Sequence, residues 1–433
     1  MYIAPCTMSP RSFLIVYSAF FFAEWLWESL LVLLNLRYVR DQLKAPPEEA
    51  SALMEPQSFK RSVEYALVRG RFGLLSSTLS NLLLLSAILS GALGTLEGFF
   101  TRLEVGAILQ GILTFASFSL IFQLLSLPLS LYSQFVIEER FGFNRMTVRL
   151  FFLDALKGLL LSLALAVPLL AALFWLMDAA GSMWWLWAFG VLAAFQLALI
   201  VLYPAVIAPW FNRFIPLEDS PLREKILGLA ERLRFGIKGI FVMDGSKRSA
   251  HSNAYFSGLG TAKRIVLFDT LLRNLREDQI LAVLAHEIGH EKKHHLEKSL
   301  SVSLAGTLAG LWLASLALKS AALFQAFGFL GPSAAAALIL ISFYSGPFTF
   351  FLKPLFSFWS RRHEYAADRF SAQALQDSGA LREALIRLNR ENLSTLAPHP
   401  WYSFFHYSHP ALLERLRALE HSLEENPVSP KAI

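Results

Sequence analysis

The chain has 433 residues, of which 55% are hydrophobic and 17% are charged, and its formal net charge is +6. Soluble domains carry about 25% charged residues, so this composition argues against a purely soluble protein and predicts membrane-spanning helices. The positive charge does not indicate a nucleic-acid partner, because the basic residues flank apolar segments and no nucleic-acid-binding motif is present.

Seven apolar segments are long enough to cross a bilayer, which takes about 20 mostly apolar residues in a helix. The first segment is too long for the core of a cleavable signal peptide, so we interpret it as the first span. A single cysteine, Cys6, excludes an intrachain disulfide. The predicted spans are roughly 12–36, 72–96, 105–132, 151–177, 183–209, 299–322 and 334–357.

Lys and Arg are concentrated in alternate connections between these spans. The connections after spans one, three and five and the tail are basic, whereas the other connections contain little beyond Arg102 and Lys319. The positive-inside rule therefore predicts an amino terminus outside and a carboxyl tail in the cytosol. Because the outer loops are short and no dilysine-type retrieval signal is present, we expect a bacterial inner membrane, or the endoplasmic reticulum in a eukaryotic host.

This pattern divides the chain into four predicted regions. Residues 1–211 contain five spans, 212–298 form a cytosolic segment, 299–358 contain spans six and seven, and 359–433 form a cytosolic tail. Neither internal repeats nor low-complexity tracts are evident. The small-residue run "GTLAG" (306–310) is of a kind that packs helices closely, within one chain or between chains.

The two cytosolic segments contain amphipathic helices and short strands. Periodicity and end signals predict a helix from Pro221, a helix over 277–297 that runs nearly straight into span six, and two tail helices near 379–393 and 411–424. Two β-rich runs, "GIFVMD" (239–244) and "RIVLFD" (264–269), read as strands, with "NAYFSG" (253–258) between them.

Four ionisable residues lie inside predicted spans: Glu24, Glu28, Asp154 and Lys157. A charge at this depth is costly and usually faces protein or a water-filled cavity. Two interpretations stay open, a polar chamber wall or buried groups with partners elsewhere in the chain. Glu24 and Glu28 share one helix face because they are four residues apart.

The stretch "LAVLAHEIGHEKKHHL" (281–296) contains the motif H-E-x-x-H. On a helix, His286 and His290 project to the same side, so both imidazoles can bind one zinc ion. Glu287 points a step round the helix and can act as general base toward a water molecule whose pKa zinc lowers from about 15.7 to about 7. The alternative is an exposed surface helix, which the apolar residues before the motif argue against.

His294 lies on the same helix face but about 12 Å from His286 along the axis, too far for one ion with Zn–N bonds of ~2.0–2.1 Å. We therefore expect His294 and His295 to be solvated surface residues. The third ligand must come from elsewhere in the chain.

The candidate for that ligand is Glu364 in "SRRHEYAADRF" (360–370). Two histidines and a glutamate leave the fourth zinc position for water or substrate. Asp368, one turn further, can accept the free ring N–H of a ligand histidine and orient it. The alternative is a surface ion pair of these carboxylates with Arg361 or Arg362.

Beyond this spacing, the chain resembles the type I CAAX prenyl proteases, a family of seven-span zinc metallopeptidases, across most of its length. The stretches that carry the resemblance are "VIEERFGFNRMT" (136–147), "PAVIAPWFNRF" (204–214), "RSAHSNAYFSG" (248–258), "KRIVLFDTLL" (263–272), "HEIGH" (286–290), "RRHEYAADRF" (361–370) and "SHPALLERL" (408–416).

The resemblance implies His286, His290 and Glu364 as zinc ligands, Glu287 as the base and Asp368 as the carboxylate behind the ligands. It also implies that the histidine in "SHP", His409, stabilises the tetrahedral oxyanion. The substrate backbone is expected to pair with the edge of a strand, which is the mode called β-augmentation. The residues of this strand are Asn253, Ala254, Tyr255 and Phe256.

The expected fold is therefore mainly α, a polytopic membrane protein with seven transmembrane helices around a chamber. A cytosolic zincin-like α+β catalytic part carries a small β-sheet. The expected function is that of a zinc-dependent membrane endopeptidase that cleaves C-terminal CAAX-type peptides, with or without a prenyl group. Its expected cofactor is Zn²⁺ and its partners are a peptide or protein substrate and the lipid bilayer, not nucleic acid.

Two rival functions follow from the same residues. The first is a quality-control metalloprotease that cleaves misfolded membrane proteins. It shares the zinc site, so only substrate profiling distinguishes it from a CAAX-type endopeptidase. A transporter or channel with a structural zinc has a closed fourth ligand position and needs no general base. Glu287 next to the first histidine argues against this second rival.

Overall fold

The structure is a computed structural model that describes residues 8–257 and 263–424, and side chains as far as residue 420. Cys6 and Gly258 lie outside the described residues. The first half consists of long helices, two of which continue into π-helical turns, Ser133–Glu138 and Tyr203–Ile207. The helices of this half are α1 (Pro10–Asp41), α2 (Ala50–Leu53), α3 (Pro56–Leu89), α4 (Ala92–Thr101), α5 (Ala107–Tyr132), α6 (Glu139–Phe141), α7 (Val148–Ala179), α8 (Trp184–Leu202) and α9 (Ala208–Phe211).

The second half alternates short strands with helices. Its strands are β1 (Phe214–Pro216), β2 (Gly239–Met243), β3 (Ala254–Ser257) and β4 (Arg264–Phe268). Its helices are α10 (Pro221–Arg232), α11 (Asp269–Asn274), α12 (Glu277–Lys292), α13 (His295–Ala317), α14 (Ala321–Ala326), α15 (Ala334–Tyr344), α16 (Gly346–Phe350), α17 (Lys353–Leu375), α18 (Gly379–Glu391), α19 (Pro400–His406) and α20 (Leu412–Glu424).

Six helical segments among the described residues are long and apolar enough to cross a membrane. A seventh is formed if the pair Ala334–Phe350 and Lys353–Leu375, bent by 70°, counts as one span. The expected polytopic helical fold is confirmed, and the seventh predicted span is a bent pair rather than one straight helix. Across this bend the chain passes from α16 into α17, which changes direction relative to the apolar segment before it.

The helices α1 and α3 extend well beyond their apolar cores. The first turns of α3 precede the predicted span, and their buried residues Phe59 and Val63 pack in one cluster with Leu381 of α18 and Leu416 of α20. This cluster joins the amino-terminal spans to the carboxyl-terminal tail. The tail is therefore held against the membrane helices next to the site.

The second half contains a four-stranded sheet in the order β1-β2-β4-β3. The strands β2 and β4 are parallel, whereas β1 and β3 pair antiparallel with their neighbours. Both predicted strands and the short strand between them are confirmed. No pattern in the sequence indicates β1, because its three residues are too few for a periodicity to show. The strand β3 lies at an edge of the sheet, and its inner face packs on α12.

The prediction of one helix over 277–297 is wrong. The helix α12 ends at Lys292, and α13 begins at His295. Between them His294 adopts the left-handed conformation with φ of 55°. A single residue with positive φ redirects the chain, so the two helices are not collinear.

Three of the four ionisable residues predicted inside spans have partners that the structure identifies. Asp154 forms a two-pronged ion pair with Arg248, with N–O distances of 2.8 and 3.1 Å. Lys157 donates to the backbone carbonyl of Trp210 at 3.0 Å. Glu28 lies 3.3 Å from the Nε2 atom of His406. For Asp154 and Lys157 the interpretation as groups with partners elsewhere in the chain is the better one, whereas Glu28 also lines a cavity, so the chamber-wall interpretation stays open for it.

The "GTLAG" run does not bring helices together within the described chain. A Cβ atom built on Gly306 or Gly310 meets no atom within 4 Å. Contact between chains is the alternative that stays open for this run.

Candidate active site

The helix α12, which carries the H-E-x-x-H motif, is fixed by a cap at its start and by packing against the sheet. Gln279 accepts from the backbone N–H of Arg276 at 3.0 Å and so caps the start of the helix. The apolar residues Ile280 and Leu284 are buried against the sheet. This packing fixes the rotation of the helix and turns His286, which is only 7% exposed, toward α17.

The helix α17 packs against α12 at short range. Gly289 lies at the contact, where a Cβ atom would come within 3.1 Å of both Ala367 Cα and Phe370 Cβ. Ser371, which is fully buried, donates to the backbone carbonyl of Ala282 at 2.8 Å. This close approach brings Glu364, 3% exposed, to the two histidines.

The side-chain atoms of His286, His290 and Glu364 converge on one point. The two Nε2 atoms are 3.2 Å apart, and the Glu364 oxygens lie 3.3 Å from His290 Nε2 and 3.6 Å from His286 Nε2. Ligand atoms of a tetrahedral zinc ion, with bonds of ~2.0–2.1 Å, are about 3.3 Å apart. The three residues therefore fit a metal ion of this size, and among the described residues they are the group of His, Cys, Asp and Glu side chains that could hold one.

The far side of His286 contacts a buried ion pair. Asp368 Oδ1 lies 2.8 Å from His286 Nδ1, which leaves the Nε2 lone pair directed at the cluster. Arg415 binds Asp368 through two N–O contacts of 2.9 and 2.5 Å and lies 3.8 Å from Glu364. The only signal for Arg415 in the sequence is its place in the stretch "SHPALLERL", which predicts no role for it. Neither Arg361 nor Arg362 is the partner of Asp368 here; Arg361 instead donates to backbone carbonyls that include that of Tyr407, at 2.8 Å.

His295 contradicts the expectation that it is a solvated residue. Its side chain is 6% exposed, and its Nδ1 atom lies 3.0 Å from His290 Nδ1. Its ring stacks on His363 with a centroid distance of 3.9 Å. The turn at His294 produces this arrangement, because a straight helix would carry His295 away from His290. His294 itself is 70% exposed, as expected, and pairs with Glu297.

Two titratable groups outside the spans complete the site. Burial raises the pKa of the Glu287 carboxyl, although the nearby imidazoles oppose this shift. A hydrogen bond to Glu364 raises the pKa of His409, whose Nδ1 atom lies 2.9 Å from a Glu364 oxygen. A group that gains protons more readily is suited to exchange them with a substrate near neutral pH.

The strand β3 offers its free edge beside α12. The backbone N–H of Phe268 donates to the carbonyl of Asn253 at 3.1 Å, so Asn253 and Tyr255 bond to β4. By alternation, the backbone groups of Ala254 and Phe256 face the free edge. The Asn253 side chain accepts from the Ala254 N–H at 2.9 Å, the bond that a partner strand would otherwise make.

Comparisons with known proteins agree with this geometry. Residues 35–213 match the N-terminal five-membrane-helix region of CAAX prenyl proteases, and residues 216–423 match peptidase family M48. CAAX prenyl protease 1 homologs of Oryza sativa and Homo sapiens are 38% and 33% identical, over 87% and 93% of this chain and 91% and 94% of theirs. The crystal structure of S. mikatae Ste24p superposes with a TM-score of 0.89 and 34% identity, covering 94% of this chain and 99% of that one.

Proposed function

Since the chain belongs to peptidase family M48 and to the CAAX prenyl protease 1 group within it, we propose that it is a membrane zinc endopeptidase that cleaves CAAX-type C-terminal peptides. The observation that carries the proposal is the convergence of two imidazoles and a carboxylate, held by α12 and α17, beside a free strand edge. A structural zinc site in a transporter would not need the neighbouring Glu287 or the open edge.

The proposed ligands are His286, His290 and Glu364. Zinc, when bound there, supplies a Lewis acid that lowers the pKa of water from about 15.7 to about 7 and polarises a carbonyl. Asp368 holds His286, and His295 holds His290, each through Nδ1, so that both Nε2 lone pairs face Glu364. Both imidazole rings are therefore held in the orientation that metal binding needs without any contribution from a substrate.

The proposed chemistry uses two further side chains. Glu287 takes a proton from water, and the resulting hydroxyl adds to the scissile carbonyl carbon. His409, held by Glu364 through Nδ1, donates from its other ring nitrogen to the developing oxyanion. The C–N bond then breaks, and Glu287 returns the proton to the leaving amine.

The substrate is proposed to add as a strand to Asn253–Phe256, with backbone bonds to Ala254 and Phe256. In this mode the backbone hydrogen bonds supply affinity, and pockets for alternate side chains supply specificity. A prenyl group is carried by a substrate side chain, so its effect on cleavage is measured by comparing farnesylated and unmodified peptides.

The decisive experiment uses one CAAX peptide in farnesylated and unmodified forms, incubated with the purified protein with and without a chelator. We expect cleavage on the carboxyl side of the cysteine, faster for the farnesylated peptide, and its loss with chelator and recovery with Zn²⁺. Equal cleavage of unrelated unfolded proteins would favour the quality-control protease instead.

The matched variant is Glu287→Gln, which has the same size and no basic carboxylate. We expect unchanged metal content and a loss of kcat by several orders of magnitude, because general-base catalysis alone contributes about 10²–10⁴-fold. A variant that retains its metal and cleaves at nearly the wild-type rate would contradict the assignment of Glu287.

A further inference from the structure

A cavity of about 770 Å³ extends from His409 toward the amino-terminal spans. Its walls come from α1, α3, α18 and the segment between α19 and α20, and they include Asn392, Arg69 and Tyr65. The cavity therefore connects the catalytic histidine with polar side chains of α3 that the proposed chemistry does not use.

The start of β3 adjoins this cavity. Asn392 Oδ1 accepts from the backbone N–H of Ser252 at 3.3 Å and lies 3.0 Å from His251 Nδ1. Because antiparallel pairing is the commoner arrangement, a substrate strand added to β3 runs from Phe256 toward Asn253. The residues that follow the scissile bond then point toward Ser252, Asn392 and the cavity.

A series of polar side chains, of which only the last two links are hydrogen bonds, leads from His251 to the cation Arg69. His251 Nε2 lies 3.8 Å from Glu138, Glu138 accepts from the Tyr65 hydroxyl at 2.9 Å, and Tyr65 accepts from Arg69 at 3.2 Å. Tyr65 is 4% exposed and so fixes the series in place. The Arg69 side chain is 58% exposed and presents its remaining donors to the cavity.

The other arginine that lines the cavity among the described residues, Arg415, is committed to Asp368 and Glu364. Arg69 donates one hydrogen bond to Tyr65 and lies 3.8 Å from Glu138, whose charge is shared with Tyr65 and His251. A planar guanidinium is the preferred partner of a carboxylate. Three extended residues span about 10 Å. A peptide tail of this length fits inside a cavity of this volume.

We propose that Arg69 binds the free C-terminal carboxylate of the peptide substrate and so selects for cleavage a few residues from a chain end. The inference rests on the proposed function and adds to it the residue that recognises the free terminal acid of the substrate. Arg69 is a specificity-determining residue in this proposal and takes no part in the bond-breaking step.

The test compares one CAAX peptide ending in a free acid with the same peptide ending in an amide. We expect the wild type to prefer the acid in kcat/KM by about tenfold or more, mainly through KM, because one charge-assisted hydrogen bond has an effect of this size. In Arg69→Gln the acid peptide loses this advantage while the amide peptide is cleaved as before. Arg69→Lys should restore part of the preference.

The matched control is Arg71→Gln on the same helix, since Arg71 lines a separate groove with Arg37 and Arg40. It should keep the wild-type preference. Equal cleavage of acid and amide by the wild type, or a loss in Arg69→Gln that is the same for both peptides, would overturn the carboxylate site and leave the peptidase intact. If the wild type cleaves neither peptide, the proposed function itself is wrong.

Discussion

His295 is the residue whose position departs most from expectation, and its contacts give it a role at the proposed metal site. It is buried, its Nδ1 atom faces that of His290 at 3.0 Å, and its ring stacks on His363. A proton on His290 Nδ1 that is donated to His295 leaves Nε2 unprotonated for the metal. Partners of this kind affect metal affinity by about 10–100-fold.

We therefore predict that His295→Ala lowers metal affinity by about 10–100-fold while the fold is retained. The measurement is metal content by mass spectrometry after equilibration with chelators of graded strength. Lys293→Ala is the control, since that side chain is exposed at the same turn and its backbone has an ordinary negative φ. If both variants retain metal equally, His295 has no positioning role.

At the scale of elements, the contact between α12 and α17 brings the three proposed ligands together. The contact depends on Gly289, where a Cβ atom would lie 3.1 Å from backbone and side-chain atoms of α17. The bend of 70° before α17 gives that helix its direction. The apolar helices α15 and α16 are therefore followed, across the bend, by the helix that carries Glu364.

We predict that Gly289→Ala pushes the two helices apart, lowers stability by about 1–3 kcal/mol and weakens metal retention. Thermal unfolding in detergent and metal content are the measurements. Gly228→Ala in α10 is the control, because its added Cβ meets nothing within 4 Å. The control should be neutral or stabilising by up to about 1 kcal/mol, owing to the better helix propensity of Ala. If the two variants are equally stable and retain metal equally, α17 moves to accept the added methyl group without loss of stability.

At the scale of the whole molecule, the spans bury few residues within the protein. Only 6% of the most apolar window of α3, α13 and the α5 and α8 segments is buried. Close-packed bundles bury a full apolar stripe of each helix, about three or four positions per two turns. The low burial supports the proposed chamber between the helices, with lipid on their outer surfaces.

The proposed orientation has a direct test, because Cys6 is the single cysteine of the chain. We predict that a membrane-impermeant maleimide labels Cys6 in right-side-out vesicles and not in inverted ones. A Cys6→Ser, Glu231→Cys variant, with its label on the exposed surface of α10, should show the opposite pattern. The reverse result for both proteins would place the catalytic part outside the cytosol.

Helices, strands and residue pairs that depend on nearby positions in the chain can be predicted without the structure. Apolar segments of bilayer length, the two amphipathic tail helices and the strands around 239–268 are visible in local periodicity. The pairing of His286 with His290 likewise follows from one helical turn. Glu364 was predictable as a candidate, since a carboxylate four residues before Asp368 on a helix suits a site of this kind.

Contacts between residues that lie far apart in the sequence are visible in the three-dimensional structure alone. The position of Arg415 on Asp368, the burial of His295 and the course of the cavity from His409 to Arg69 depend on how helices far apart in the chain pack. One positive φ at His294 moved His295 from the surface to the site. Such contacts are set by the packing of whole elements and by single backbone angles, and no local pattern of residue types encodes either of them.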